Sequence, residues 1–356
     1  QAERHDNSRM TSLPIPTPPA AGLAGLSLPD GVALLSGADS AWGMIRVQGA
    51  DATRFLQAQL TNDFALLRPD QARLAAFCNA KGRMQASFVA LRTAQDADGA
   101  TYVLVCRKDL LAAVLKRLRM FVLRSKVTLE DVTESLALYG LLGDAAGVAW
   151  GGDAASAQPW DYRKREGRHL VWLYPAAEPD IRVPRALCVQ AGDLPAPAGA
   201  ALDGSLWELA EVRSGVTTVS QATYEAFVPQ MVNYESIGGV NFKKGCYPGQ
   251  EVVARSQFRG AIKRRTHPAV GTLPAGAALP QAGQDVWRVA SDGTEPEPCG
   301  IIAQAAAAHE GFALLASLQN SCVEDAVQGR AVLRAGAAEG PELYLQPLPY
   351  ALLEDI

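Results

Sequence analysis

From residue 31 to residue 142 the chain alternates short apolar runs with amphipathic stretches, and two periods can be told apart. Residues 42–47 read as a strand. Residues 51–60 put Phe55, Leu56 and Leu60 on one helical face, with Asp51 placed to cap the helix. Strand character returns at 74–78 and 84–91, on either side of a turn at 79–83, and again at 102–106. Residues 109–119 form a second amphipathic stretch, followed by strands at 126–131 and 136–142. This order of strand, helix, strand, strand, helix, strand predicts an α+β fold and not a doubly wound parallel sheet.

Further along, 143–159 is rich in Gly and Ala and reads as a loop or a boundary. Short strands are expected at 168–175 and 181–184, a loop at 190–203, and a helix at 207–215 closed by Gly215. From His267 the texture changes to short strands between Gly/Pro turns, at 268–274, 284–290, 298–304, 312–318 and 328–334. That spacing predicts a small antiparallel barrel. The first 29 residues are polar and then rich in Pro and Ala, so a disordered arm is expected there. The expected division is thus an arm at 1–29, an α+β region at 30–265 and a barrel at 266–356.

At 356 residues the chain exceeds one ordinary core. Its 48% hydrophobic and 20% charged residues fit a globular protein, and a net charge of −4 gives no global pull toward nucleic acid or an anionic membrane. No run approaches a membrane span, and the opening residues lack an apolar leader, so the cytoplasm is the expected compartment. The six cysteines are scattered without a CxxC pair, and the four histidines are isolated, so no protein-only metal site is expected.

One octet, residues 244–251, concentrates candidate chemistry: Lys244, Gly245, Cys246, Tyr247, Pro248, Gly249, Gln250 and Glu251. Glycines flank the cysteine within a few residues and permit a tight turn and close approach to the sulfur. A lysine two residues away favours thiolate, the form that attacks electrophiles and binds metals. A buried structural cysteine beside a solvated Lys/Glu pair accounts for the same letters. The surrounding stretch 243–265 carries Lys243, Lys244, Arg255, Arg259, Lys263, Arg264 and Arg265 against Glu251 alone. It reads either as a solvated face or as an anion site or docking surface for an acidic partner or tRNA backbone.

The run 238–255 containing this octet resembles the signature of YgfZ-type folate-binding proteins, relatives of the glycine cleavage T-protein (aminomethyltransferase). Similar blocks occur in family order at 55–63, 77–83, 124–127 and 258–265. The resemblance implies α+β subdomains around a folate cavity followed by a C-terminal barrel. It implies tetrahydrofolate or a derivative as cofactor, and iron–sulfur enzymes, including those that modify tRNA, as protein clients. On this footing Cys246 is the working thiol and Lys244 its electrostatic partner, with Gly245 and Gly249 shaping the turn. Gln250 and Glu251 would open a helix on which Arg255 pairs with Glu251. The cofactor-binding set implied is Asn62, Asp63, Arg83, Glu211, Tyr247, Gln250, Glu251 and Arg255.

Two departures from the T-protein pattern matter. The stretch 82–87, where T-proteins carry adjacent aspartates, has no carboxylate here. The T-protein Arg-Leu-Glu run becomes Glu211-Val212-Arg213, so either Glu211 takes over contact with the pterin edge or it pairs with Arg213 at the surface; Glu208 is a second candidate. Asn62 and Asp63 either line the cavity or cap a turn. The departures favour a folate-binding accessory factor, with a one-carbon transferase as the alternative.

Overall fold

The computed structural model describes residues 27–178, 181–258, 260, 262–273, 276–309 and 311–353. Most of the expected arm, 1–26, and Arg259 of the basic stretch lie outside the described residues. Of the arm's last residues, Leu28 is buried, and its N–H donates to Glu178 Oε1 at 2.6 Å.

In chain order the first half contains β1 (Gly31–Leu34), β2 (Trp42–Gly49), α1 (Ala52–Gln59), β3 (Ala72–Cys78), β4 (Met84–Asp96), β5 (Gly99–Arg107), α2 (Lys108–Arg119), β6 (Thr128–Asp131), β7 (Leu136–Leu142) and α3 (Asp144–Trp150). Next come β8 (Tyr162–Arg165), β9 (Arg168–Trp172), β10 (Ala176–Ala177), β11 (Arg182–Val183), β12 (Arg185–Ala191), β13 (Ala201–Leu202), α4 (Gly204–Arg213) and α5 (Gln250–Phe258). The last part holds β14 (Arg264–Thr272), β15 (Asp285–Ala290), β16 (Glu297–Ala308), β17 (Gly311–Gln319), α6 (Asn320–Val327), β18 (Ala331–Ala335) and β19 (Glu342–Leu345).

Four sheets organise these elements among the described residues: a five-stranded sheet β3-β4-β5-β2-β6, a six-stranded sheet β13-β1-β7-β12-β9-β8, a two-stranded ribbon β10-β11, and a closed barrel β14-β17-β16-β15-β18-β19. The fold is α+β with an antiparallel C-terminal barrel. In β4 the run Met84–Phe88 is buried without alternation because both faces of that strand are covered. Helix α2 covers one face of the five-stranded sheet with Leu110, Leu111, Val114, Leu115 and Leu118, spaced three and four apart. One core runs through both open sheets and reaches Ala303 and Leu315 of the barrel, which also has a core of its own around Phe312 and Leu314.

Several local expectations change. Asp51 stands at the N-cap of α1 but makes no side-chain cap; its carboxylate accepts from the Lys126 N–H at 2.7 Å and pairs with Arg54. The Gly/Ala stretch after residue 143 contains α3, because alanine is the best helix former and Ala145, Ala146 and Trp150 have a sheet face to bury against. Strand β12 continues where a loop was expected at 190, and the barrel has a sixth strand, β19, that closes it onto β14 and β18.

Candidate functional site

The 244–251 loop is built on two struts. In the first, residues 60–63 are stitched to 238–241. Thr61 Oγ1 donates to the Gly239 carbonyl at 2.6 Å, and the Asn241 N–H donates to the Thr61 carbonyl at 2.9 Å. Asn62 Nδ2 donates to the carbonyls of Leu74 and Gly238 at 2.7 and 2.6 Å, while its Oδ1 accepts from the Asp63 N–H. In the second, Gly249 lies against the 79–83 turn. Its φ is 81°, and a Cβ there would sit 2.4 Å from the Asn79 carbonyl oxygen and 2.7 Å from the Gly82 backbone. Only glycine allows that approach.

Lys244 is buried, and its ammonium donates to the carbonyls of Gln57 and Leu60, where α1 ends. These are carbonyls that a helix leaves unsatisfied, and the cation also meets the negative end of the helix dipole. The ammonium lies 4.9 Å from the centre of the buried Tyr247 ring. Burial lowers the Lys244 pKa to about 8, against the opposing pull of Asp63 and Cys246. Lys244 therefore anchors the loop to α1, and it interacts with Cys246 electrostatically through space.

Of the six cysteines, Cys246 alone is exposed. Burial pushes Cys78, Cys106, Cys188 and Cys299 up to about 12, which keeps them as thiols. Gly245 is not needed for backbone geometry: it is absent from the positive-φ glycines, and a Cβ would meet nothing within 4 Å. The turn is shaped by Gly249, and Gly245 leaves the space beside the sulfur open.

The remaining predicted residues divide between two places. Asp63 caps a turn by accepting from the Leu66 N–H at 2.9 Å, and Arg83 Nη1 donates to the Ala226 carbonyl at 2.8 Å. Gln250 opens α5, with Nε2 3.4 Å from the Lys244 carbonyl. Glu251 and Arg255 pair at 2.6 Å with both side chains mostly exposed, a contact that contributes little. The basic stretch is not uniformly solvated, since Arg265 is buried in an ion pair with Glu235.

Glu211 lies elsewhere, in the wall of a small cavity of about 30 Å³. Trp42, Leu74, Ser87, Trp160, Tyr174, Arg185, Thr218 and Tyr234 share the lining. The surface Glu211–Arg213 pair does not form: Glu211 is buried and bound to Arg185, while Arg213 pairs with Glu178 at 2.9 Å. Glu208 is taken by Arg107 at 2.8 Å and by the Trp42 indole. Arg185 also donates to the Tyr174 carbonyl at 3.1 Å and lies 4.6 Å from the centre of the Trp207 ring, with its Nε unpartnered. Burial pushes the Glu211 carboxyl up and the Arg185 guanidinium down, and their mutual attraction opposes both shifts. Arg185 escaped sequence reasoning because it is 26 residues from Glu211 and belongs to no motif.

Around the 82–87 stretch, Ser87 Oγ accepts from the Val219 N–H at 2.9 Å, and Gln85 Nε2 donates to Glu225 Oε1 at 2.6 Å. Glu225 has a left-handed φ of 59°, and hydrogen bonds from Gln85 and Asn79 lower its carboxyl pKa. Among the described residues no cluster of His, Cys, Asp and Glu could hold a metal ion.

Comparison with known proteins agrees with this architecture. Residues 38–148 match the GCVT N-terminal domain. The chain is 29% identical over 316 residues to the tRNA-modifying protein YgfZ of Shigella sonnei (strain Ss046), covering 88% of this chain and 92% of that protein. The match to the tRNA-modifying protein YgfZ of Escherichia coli (strain K12 / DH10B) has the same extent. The glycine cleavage system aminomethyltransferase T from Bartonella henselae superposes with a TM-score of 0.57 at 15% identity, covering 91% of this chain and 87% of that one. The chain is thus similar to the YgfZ proteins over most of its length, matches the GCVT N-terminal domain over 38–148, and shares the fold of the glycine cleavage T-protein.

Proposed function

We propose that this protein is a folate-binding accessory factor that supports tRNA modification by maintaining iron–sulfur enzymes, with Cys246 as its working thiol. The carrying observation is the loop itself: one exposed thiol among six, on a turn anchored by a buried lysine and by glycine-only backbone contact. Such a thiol is accessible to a partner while its backbone is held in place. The tRNA part rests on the likeness to proteins named for tRNA modification. The boundary between the α+β region and the barrel near residue 265, and a cytoplasmic location, belong to the same proposal; among the described residues no helix is long and apolar enough to cross a membrane.

The chemistry of the cavity lining supports the folate half of the reading, although a pterin needs the present volume of about 30 Å³ to widen. A pterin edge offers two parallel donors, which suit a carboxylate. Glu211 has acceptor capacity beyond its bonds from Arg185 and Thr218, and aromatic rings of Trp42, Trp160, Tyr174 and Tyr234 supply flat walls. Tetrahydrofolate would supply a one-carbon carrier or a redox-active pterin there. Titration with tetrahydrofolate, followed by tryptophan fluorescence, tests this: saturable binding weakened by Glu211→Gln is expected. No binding at millimolar folate overturns the folate half.

A second reading, a one-carbon transferase, is favoured by one observation. Tertiary structure brings the Glu225 carboxylate to Gln85, within the stretch that lacks its own acid. It predicts consumption of methylene- or methyl-folate that is lost in Glu225→Gln.

A further inference from the structure

Beyond the thiol loop and the cavity, the block at 124–127 has no part in the function above, although it ends an unusual surface feature. Helix α2 runs out into a turn held by consecutive backbone bonds: the N–H groups of Met120, Phe121 and Val122 donate to the carbonyls of Arg117, Leu118 and Arg119. The Ser125 N–H then closes back on Val122 at 2.7 Å. On this turn Met120, Phe121 and Leu123 are 66%, 37% and 88% exposed, three large apolar side chains within four residues. Leu123 has a φ of 43°, a left-handed conformation that a leucine adopts only at a cost.

Along the chain the charges flanking these side chains have one sign, with Asp51 against the Lys126 backbone and Glu225 near Arg117 as the acids that approach from other elements. Residues 110–129 carry Lys116, Arg117, Arg119, Arg124 and Lys126 and no acid. Arg119 is occupied by the Leu129 carbonyl, whereas Lys116, Arg124 and Lys126 have no ion-pair partner among the described residues. Lys116 precedes Met120 by four residues, so the two share one side of the helix end.

We propose that this turn is a docking surface for an acidic, apolar helical segment of a partner protein. Exposed apolar side chains gain from an apolar partner face, which a phosphate backbone does not offer to Met120 and Leu123. The surrounding cations require carboxylates at the rim, where charge complementarity speeds encounter and selects the partner. The backbone bonds hold the turn in one shape, so little ordering cost falls on binding. A leucine kept in left-handed backbone at full exposure is a stability cost that an interaction surface explains.

The test uses the full chain and a short fluorescein-labelled helical peptide with Leu and Phe on one face and Glu at the flanking positions. Anisotropy is expected to show saturable binding, weakened at least tenfold by Phe121→Ser/Leu123→Ser and by Lys116→Glu/Arg124→Glu. A peptide with Lys in place of Glu is expected not to bind. Leu123→Gly is expected to raise the urea midpoint while weakening the peptide, separating folding from binding. No binding of the acidic peptide, or binding indifferent to both double variants, overturns the proposal. So does binding of phosphatidylserine vesicles or of tRNA through the same residues while the peptide is ignored.

Discussion

Replacing Glu211 by leucine removes the carboxylate facing a guanidinium that is itself 1% exposed. Two effects set the size of the loss. A charge-assisted hydrogen bond contributes about 1.5–3 kcal/mol. The cation left buried without its partner brings the cost of breaking such a pair to about 3–5 kcal/mol. Here the Tyr174 carbonyl and the Trp207 ring remain on Arg185, which places the expected loss near the lower end, about 3 kcal/mol. Arg185→Met combined with Glu211→Leu removes both charges and both desolvation costs. The double variant is therefore expected within about 1 kcal/mol of the parent, or above it. Urea denaturation followed by tryptophan fluorescence reads all three proteins. A Glu211→Leu midpoint equal to the parent, or a double variant as unstable as the single, would refute the reasoning.

Three further outcomes follow from the same geometry. Gly249→Ala is expected to cost about 2–3 kcal/mol through its left-handed φ and the Asn79 carbonyl, whereas Gly245→Ala stays within about 0.5 kcal/mol; thermal unfolding separates them. An aromatic disulfide reagent is expected to titrate one thiol in the native protein, Cys246, and all six in denaturant; more than one reactive native thiol contradicts the burial pattern. Burial, aided by Lys164, lowers the pKa of His169 from 6.5 to about 4. The unfolded chain then binds the extra proton between those values, so stability is full above pH 6.5 and falls as pH drops toward 4. Allowing for partial exposure the loss is about 1–2 kcal/mol, and His169→Phe should flatten that part of the profile.

What the letters disclosed follows from how local each feature is. The β3–turn–β4 hairpin, α2 and most barrel strands are written in short-range periodicity, and α5 opens at Gln250 as the family resemblance implied. Helix α3 was hidden because alanine and glycine look like loop residues until a sheet face is present to bury them. Strand β19 is four residues long and closes the barrel only through pairing with β14 and β18, which no local pattern records. The candidate site divides in the same way. The octet announced Cys246 and the left-handed Gly249, but the 79–83 backbone that admits only glycine there is remote in sequence. The partners of Lys244 and Glu211, the end of α1 and Arg185 respectively, are tertiary and leave no trace in spacing. Asn62 and Asp63 belonged to a legible block, yet their side chains serve the backbone that carries the loop.

The central claim is that the Cys246 thiol is the functional centre, and its most direct test is the level of methylthiolated tRNA nucleosides in cells lacking this protein. Complementation with the parent chain is expected to restore them and Cys246→Ala to fail, with both proteins present at equal abundance. Equal restoration by the two would contradict the claim and leave Cys246 as an exposed but idle residue.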